Sequence, residues 1–526
     1  MNQNNSTQPV RIVKESSNIT SDHKVREKLV AAAEAFADLL RSTYGPKGLD
    51  KMLYKSNGES AITNDGAKIV AELLVKHPAA KAFVNLGEAQ ENSIGDGVTG
   101  CLLFAGALMH EAGSLFRKGV HPLIIVDGYL QSMEIVAKTI GEQEIDINDI
   151  DSIDAVAKTA MTGKMSENYS DLFSNLIVEA LNKTSRTEEG VFVCTSENII
   201  MNKSNSGSFA ESQIVDGVIL ERRVSLDKLR NEYANVNIVT FSCPLTMQKT
   251  VRDVEVEIEN PQQMMAFIDN EKEQMQQLVE ELLKMNINCV FSSEEIDDLV
   301  IHLLSERGVF VLGNLDDKEL KNISFATGSN VCGKFSDLSE EDIGFAGSLK
   351  VTSVPNEDGF KDKIIIDKCI NPKVVTIVVG GTNDLGVEET IRAMHDALKV
   401  VSLVMINGKV VRGGGNMFQL SAEYVRINAE KISGREKLAM EGYARALETI
   451  PATLSANSGK NSLDNLLKLR SLISENKKMG ISINGDVGEI NDVWEPVEGV
   501  LHAIKGATET AVGLLRVDQM ISSRGD

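Results

Sequence analysis

Aromatic residues are scarce in this chain, at 5% of 526 residues with a single tryptophan. Cysteine is scarce too. The six cysteines, Cys101, Cys194, Cys243, Cys289, Cys332 and Cys369, form no C-x-x-C pair and mostly stand in apolar runs. That excludes a disulfide scaffold and predicts buried free thiols. The seven histidines are dispersed, with no H-E-x-x-H or similar spacing, so no zinc site is expected. Positive charge is in deficit: 54 Lys and Arg against 76 Asp and Glu leave a net charge of −22. This is the wrong sign for neutralising nucleic-acid phosphates or for docking on anionic lipid. No apolar run approaches the roughly 20 residues that span a bilayer. The opening "MNQNNSTQPV" is polar where a signal peptide would be apolar. These absences predict a cytoplasmic protein that binds neither nucleic acid nor membrane.

What is present reads as ordinary globular protein, 42% apolar and 25% charged. A chain of this length exceeds one hydrophobic core, so two or three domains are expected. From about Val25 to Ile140 the pattern is helical. "VREKLVAAAEAFADLLRSTYG" carries apolar residues at spacings of three and four and stops at Gly45-Pro46. "DGAKIVAELLVKHP" follows a candidate Asp65 cap, and "HPLIIVDGYLQSMEIVAKTI" places Pro122 in a first helical turn. In the middle, β-branched runs ("NVNIVTFS", "INCVFSS", "GVFVLG", "KVVTIVVGG") alternate with helical segments, the mark of an α/β unit. Beyond Val404 long helices return. The α/β unit is therefore expected as an insertion between two helical halves that pack together.

One stretch raises a chemical question. "NSIGDGVTGCLLFAGALMHEAGSLFRKG" sets Asp96 between glycines at the mouth of an apolar helix. A glycine loop entering a helix N-terminus leaves main-chain N–H groups open to an anion. An acid there repels phosphate directly, but a carboxylate on Mg²⁺ can bridge to phosphate oxygens. Alternatively, Asp96 is a turn residue and Gly97 a helix cap. Two further glycine loops, "YGPKG" (Tyr44, Gly45, Pro46) and "VRGGGN" with Gly414, lie at helix boundaries in the helical halves, and none of the three is a P-loop.

"RSTYGPKGLDKML", "AITNDGAKIV", "IGDGVTG", "MTGKMSEN", "MHDALKVV", "RGGGN" and "VWEPVEGVLHAIKGATETAVGLLRVDQMI" occur in the order and spacing of group II chaperonins. The chain resembles that family, the archaeal thermosome and eukaryotic cytosolic (TCP-1) chaperonins, from about Val10 to Ile521. The resemblance implies a multidomain α and α/β chaperonin fold. Its parts would be an α-helical equatorial ATP-binding domain (1–148 and 405–526), an intermediate hinge domain (149–217 and 368–404), and an inserted α/β apical domain with a helical protrusion (218–367). It implies an ATPase with ATP and Mg²⁺ as cofactors, a double ring of identical or paralogous subunits, a built-in lid, and unfolded or partly folded protein clients.

Carried over by position, Asp96 resembles the Mg²⁺ ligand, Asp65 the acid near the γ-phosphate, and Asp396 the general base that polarises the attacking water. Phosphoryl transfer needs chiefly positioning and charge neutralisation, which such a set supplies. Without that context Asp65 reads as a turn or cap, and Asp396 as a solvated charge on an amphipathic helix. Lys164 resembles a γ-phosphate sensor, with surface lysine as the alternative. Glu495 resembles the acid that meets the ribose, with an exposed turn acid as the alternative. Tyr44, Gly45, Pro46, Gly97, Val98, Thr99, Gly100 and Gly414 complete the nucleotide-binding set. His395 reads as structural. Met264, Met265, Phe267 and Ile268 form a dense apolar patch near the protrusion, suited to a client or to lid closure.

The chain departs from the family pattern at Val98, where a threonine is usual. Gly100 follows where many members have another threonine, and "RGGGNMFQ" lacks the acid that commonly follows. One lost hydrogen bond to a charged group costs roughly 1.5–3 kcal/mol, or about ten- to hundredfold in nucleotide affinity. A slow subunit of a hetero-oligomeric ring is the expectation that follows. A ring subunit with little turnover and a small-molecule phosphotransferase are the competing readings, the latter weakened because every nucleotide motif lies outside the α/β core.

Overall fold

The computed structural model describes residues 19–21, 23–54, 60–150, 153–163, 167–204, 207–222, 230–246, 261–356 and 359–521. Helices in chain order are α1 (His23–Arg41), α2 (Gly66–Glu72), α3 (Pro78–Ser93), α4 (Val98–Arg117), α5 (Pro122–Glu142), α6 (Asp154–Met161), α7 (Ser170–Thr184), α8 (Pro261–Lys284), α9 (Asp298–Glu306), α10 (Asp317–Thr327), α11 (Asp384–Asn407), α12 (Asn416–Ala429), α13 (Glu436–Asn457), α14 (Ser462–Glu475) and α15 (Val497–Leu515). The chain divides into two compact units, one of residues 1–174 and 392–526 and the other of residues 175–391.

The first unit is helical, and one apolar cluster runs through both ends of the chain. Leu29, Phe83, Phe104 and Tyr129 from the N-terminal part meet Met417, Tyr443, Ile504 and Ala511 from the C-terminal part. The Phe104 ring stands edge-on to Tyr443 at 5.4 Å, and the Tyr443 and Thr508 hydroxyls share a hydrogen bond of 2.7 Å. Close helix approach depends on missing side chains: a Cβ at Gly106 of α4 would come within 2.3 Å of Ala37 Cβ on α1. Local chemistry fixes the helix starts. Pro78 and Pro122 open α3 and α5, while His77 and His121 Nδ1 accept hydrogen bonds of 3.2 Å from the Ala79 and Leu123 N–H groups.

Two expectations need correction here. The first helix ends at Arg41, short of the Gly45-Pro46 stop, because the chain turns at Ser42–Tyr44 with Thr43 N–H donating to the Leu40 carbonyl. The second concerns membrane length. α4 spans 20 residues and is long and apolar enough to cross a bilayer, yet 78% of its apolar window is buried inside the protein.

The second unit carries a mixed sheet. Its strands run in the order Phe310–Leu312, Cys289–Ser292, Glu232–Phe241, Gly344–Asn356, Gly359–Cys369, Val218–Arg222, with Val331–Cys332 also paired to Glu232–Phe241. The first three are parallel, Ile238 opposite Cys289 and Cys289 opposite Phe310, and the hairpin of the next two is antiparallel. Alternate residues enter separate cores: Ile238, Cys289 and Phe291 on one face, Val239, Val290 and Val311 on the other. Burial on both faces explains the unbroken apolar runs. The "KVVTIVVGG" run forms the strand Val375–Val379 of a separate sheet with Ile199–Lys203 and Gln213–Val215. The cysteines among the described residues are free thiols, and burial pushes Cys101 and Cys369 up to about 12.

Candidate functional site

Three glycine loops of the helical unit converge on a cavity of about 570 Å³. The loop between α3 and α4 supplies its centre. Gly97 caps α4 at φ 81°, a left-handed conformation that side chains disfavour, so the first-turn N–H groups of α4 emerge with no side chain over them. Asp96 Oδ1 accepts from the Gly97 N–H at 2.7 Å, and the Asp96 carbonyl accepts from Gln90 Nε2 at 2.9 Å. Gly97 is a helix cap, as the turn-and-cap alternative has it, and Asp96 lines the cavity.

The second loop follows α1. Tyr44, Gly45 and Pro46 all line the cavity, the Tyr44 ring packs beside Gly100, and the Tyr44 carbonyl accepts from Asn457 Nδ2 at 2.8 Å. Burial raises the Tyr44 hydroxyl well above its ordinary range, with the Glu495 and Asp96 carboxylates adding to the effect. The third loop enters α12. Gly414, at φ 63°, would drive a Cβ within 2.7 Å of the Ile481 carbonyl oxygen. Close main-chain approach is what this loop requires.

Acids arrive from four elements. Asp65 caps α2, its Oδ1 accepting from the Ala67 N–H at 2.9 Å, and it also lines the cavity. Asp396 on α11 lines the same cavity and is 8% exposed, so the solvated-surface alternative is wrong. Glu495, on the strand Trp494–Pro496, is likewise no exposed turn acid: burial pushes its carboxyl up to about 7, with Asp96 adding to the rise. Tyr44, Gly45, Pro46, Asp65, Asp96, Gly97, Val98, Thr99, Gly100, Asp396, Gly414 and Glu495 thus share one cavity. His395 is exposed. Lys164 lies outside the described residues, and Met264, Met265, Phe267 and Ile268 fall within α8 with their side chains outside that description.

Val98 departs from expectation in physical terms. It is 4% exposed and belongs to the apolar core, with Cγ1 packed toward Gly87 of α3. Its main-chain N–H remains part of the α4 N-terminus whatever the side chain. Thr99 keeps its hydroxyl, which is tucked against Gly66.

Sequence reasoning missed several neighbours. Gln90 and Glu91 close α3, Lys158 and Thr159 come from α6, and Asn64 Nδ2 donates to the Gly163 carbonyl at 3.0 Å. Each is a polar residue on a helix or loop with no distinguishing spacing. The apolar wall, including Phe418, Ile481 and Ile490, gave no sequence signal either.

Residues 36–524 match the TCP-1/cpn60 chaperonin family. A thermosome subunit of Methanopyrus kandleri is 34% identical over 501 residues, covering 94% of this chain and 91% of the relative. Thermosome subunit beta of Methanothermobacter thermautotrophicus is 34% identical over 519 residues, covering 98% and 95%. Thermosome subunit alpha of Archaeoglobus fulgidus is 33% identical over 523 residues, covering 98% and 95%. With the family matched over nearly the whole chain and the relatives aligned almost end to end, this chain belongs to the TCP-1/cpn60 chaperonin family as a group II chaperonin subunit.

Proposed function

We propose that the cavity of the helical unit binds ATP with Mg²⁺ and that its hydrolysis drives a chaperonin folding cycle. The observation that carries this reading is the meeting of Asp96, Asp396 and Glu495 with the Gly45, Gly97 and Gly414 loops around one cavity. A volume of about 570 Å³ falls in the range of small-molecule sites. Carboxylate oxygens are the hard donors a magnesium ion takes, and Asp96 and Asp65 would hold it. When bound, Mg²⁺ supplies charge neutralisation at the phosphates.

The chain's own groups do the rest. The α4 N-terminus and the glycine main chain receive phosphate oxygens, and the Glu495 carboxyl, partly neutral near pH 7, meets a ribose hydroxyl. Asp396 accepts a proton from water as the water oxygen attacks the γ-phosphorus; the bond to the bridging oxygen breaks, and ADP and phosphate leave. Lys164 acts as the γ-phosphate sensor.

In the same reading residues 1–148 and 405–526 are the equatorial domain, 149–217 and 368–404 the hinge, and 218–367 the apical domain. The subunit assembles with identical or paralogous copies into a cytoplasmic double ring. Its apical helix, with Met264, Met265, Phe267 and Ile268, closes a lid over or contacts non-native protein. The low-turnover alternative rested on Val98; packing of that side chain in the apolar core favours the hydrolysing reading over it.

Mg²⁺-dependent phosphate release, measured with and without unfolded protein, tests this function. Faster release with unfolded protein is expected. Transfer of phosphate to a small-molecule acceptor would replace the chaperonin reading with a phosphotransferase one.

A further inference from the structure

The nucleotide reading leaves open how Asp396, far along the chain from Asp96, is held at the correct offset from it. An ion pair outside the predicted set answers this. Lys399 lies three residues beyond Asp396 on α11, so the two side chains share a face of that helix. Its Nζ reaches Glu91 Oε1 on α3 at 2.7 Å and the Glu91 carbonyl at 3.5 Å. The aliphatic stem lies directly over the loop that carries Asp96. A Cβ at Gly95 would stand 2.2 Å from Lys399 Cδ and 2.6 Å from its Cβ, while Gly95 itself sits at φ +85°. No other residue type fits between stem and loop.

Glu91 is also the neighbour of Gln90, which is 1% exposed. Gln90 Nε2 donates to the Asp96 carbonyl at 2.9 Å, and its Oε1 meets His502 Nδ1 at 2.7 Å. Two consecutive residues of α3 therefore grip the two acid-bearing elements, Gln90 the Asp96 loop and Glu91 the Asp396 helix. Lys399 and Glu91 are 39% and 28% exposed, and ion pairs that open to water add little to stability. Their geometric effect is larger: displacing a reacting group by about 1 Å costs roughly a hundredfold in rate.

We propose that Lys399 and Glu91 are positioning residues, an ion-pair latch across Gly95 that sets the register between Asp396 and the Asp96 loop. This inference rests on the cavity being the ATP site. The test uses the full-length assembled protein and the variants Lys399→Met, Lys399→Arg, Glu91→Gln, the single reversals Lys399→Glu and Glu91→Lys, and the swap that combines these two. For each, kcat for ATP hydrolysis, ATP affinity from the fluorescence of the sole tryptophan, Trp494 beside Glu495, and the thermal midpoint are measured. For Lys399→Met, kcat is expected to fall roughly ten- to hundredfold while ATP affinity and thermal midpoint stay near wild type. Lys399→Arg is expected to retain most activity, and the swap to recover activity relative to either single reversal. Unchanged kcat in Lys399→Met, or a loss that tracks weakened ATP binding or a lower midpoint, would overturn the latch while leaving the ATP site standing. A wild-type protein that binds no ATP would overturn both.

Discussion

Val98 and Glu495 show how much a single side chain's surroundings decide. From sequence, Val98 is a missing hydroxyl; in the fold it is a core residue against Gly87. Val98→Thr is therefore expected to change ATP affinity by less than the roughly tenfold that a hydrogen bond to a charged group is worth. Titration of the variant by Trp494 fluorescence checks this, and a larger gain would restore the sequence-based expectation. Glu495 presents the opposite case, because the motif brings it to notice but does not show its protonation. Burial, then Asp96, raises its carboxyl from 4.5 to about 7, so the native protein binds more protons than the unfolded chain between those values and loses stability as pH rises. In the metal-free protein, Glu495→Gln is expected to raise the thermal midpoint above pH 7 and to leave it nearly unchanged at or below pH 4.5. An equal gain at both pH values would contradict the assigned desolvation.

Helices and strands were legible wherever one period dominated. The apolar runs of the parallel strands and the proline starts of α3 and α5 could be read directly, because burial on two faces and a fixed φ each leave a local trace. The long hairpin Gly344–Asn356 with Gly359–Cys369 was not legible, because its pairing is set by partner strands rather than by its own composition. Nor was the junction of α12, α13 and α14. There Glu448, 2% exposed, accepts from Gln419 Nε2 at 3.0 Å, from Arg426 at 2.5 Å and from Arg470 Nε at 2.6 Å. Burial opposes its ionisation, but Arg470 and Arg426 outweigh burial and hold the carboxyl below its usual 4.5. Glu448→Ala leaves two arginines facing a buried gap and is expected to destabilise the helical unit by about 3–5 kcal/mol. Urea unfolding of the variant beside wild type measures this. The contribution is present above the ordinary carboxylate range and fades as pH falls through the depressed value. An acid-insensitive difference between the two proteins would contradict that account.

At the scale of the whole molecule, the insertion of an α/β unit between two helical halves was visible as a change of hydrophobic period. A single apolar core draws on both ends of the chain, with Phe104 against Tyr443. What the sequence could not show is convergence. Asp96 and Asp396 are 300 positions apart and Glu495 is 99 further on, and only the folded chain brings them and Gly45, Gly97 and Gly414 around one cavity. The family resemblance named most of these residues. The residues that hold them in place, Gln90, Glu91 and Lys399, have no motif, since positioning depends on distances that sequence spacing does not encode. The chemistry proposed for this cavity is ATP hydrolysis with Asp396 as the base. The most direct measurement is ATP binding and single-turnover hydrolysis by wild type and Asp396→Ala, with assembly size recorded on the same samples. Wild type is expected to bind and hydrolyse, and the variant to bind and assemble equally well while hydrolysing about a hundredfold or more slowly. Equal hydrolysis by the two proteins, or no ATP binding by either, would contradict the account.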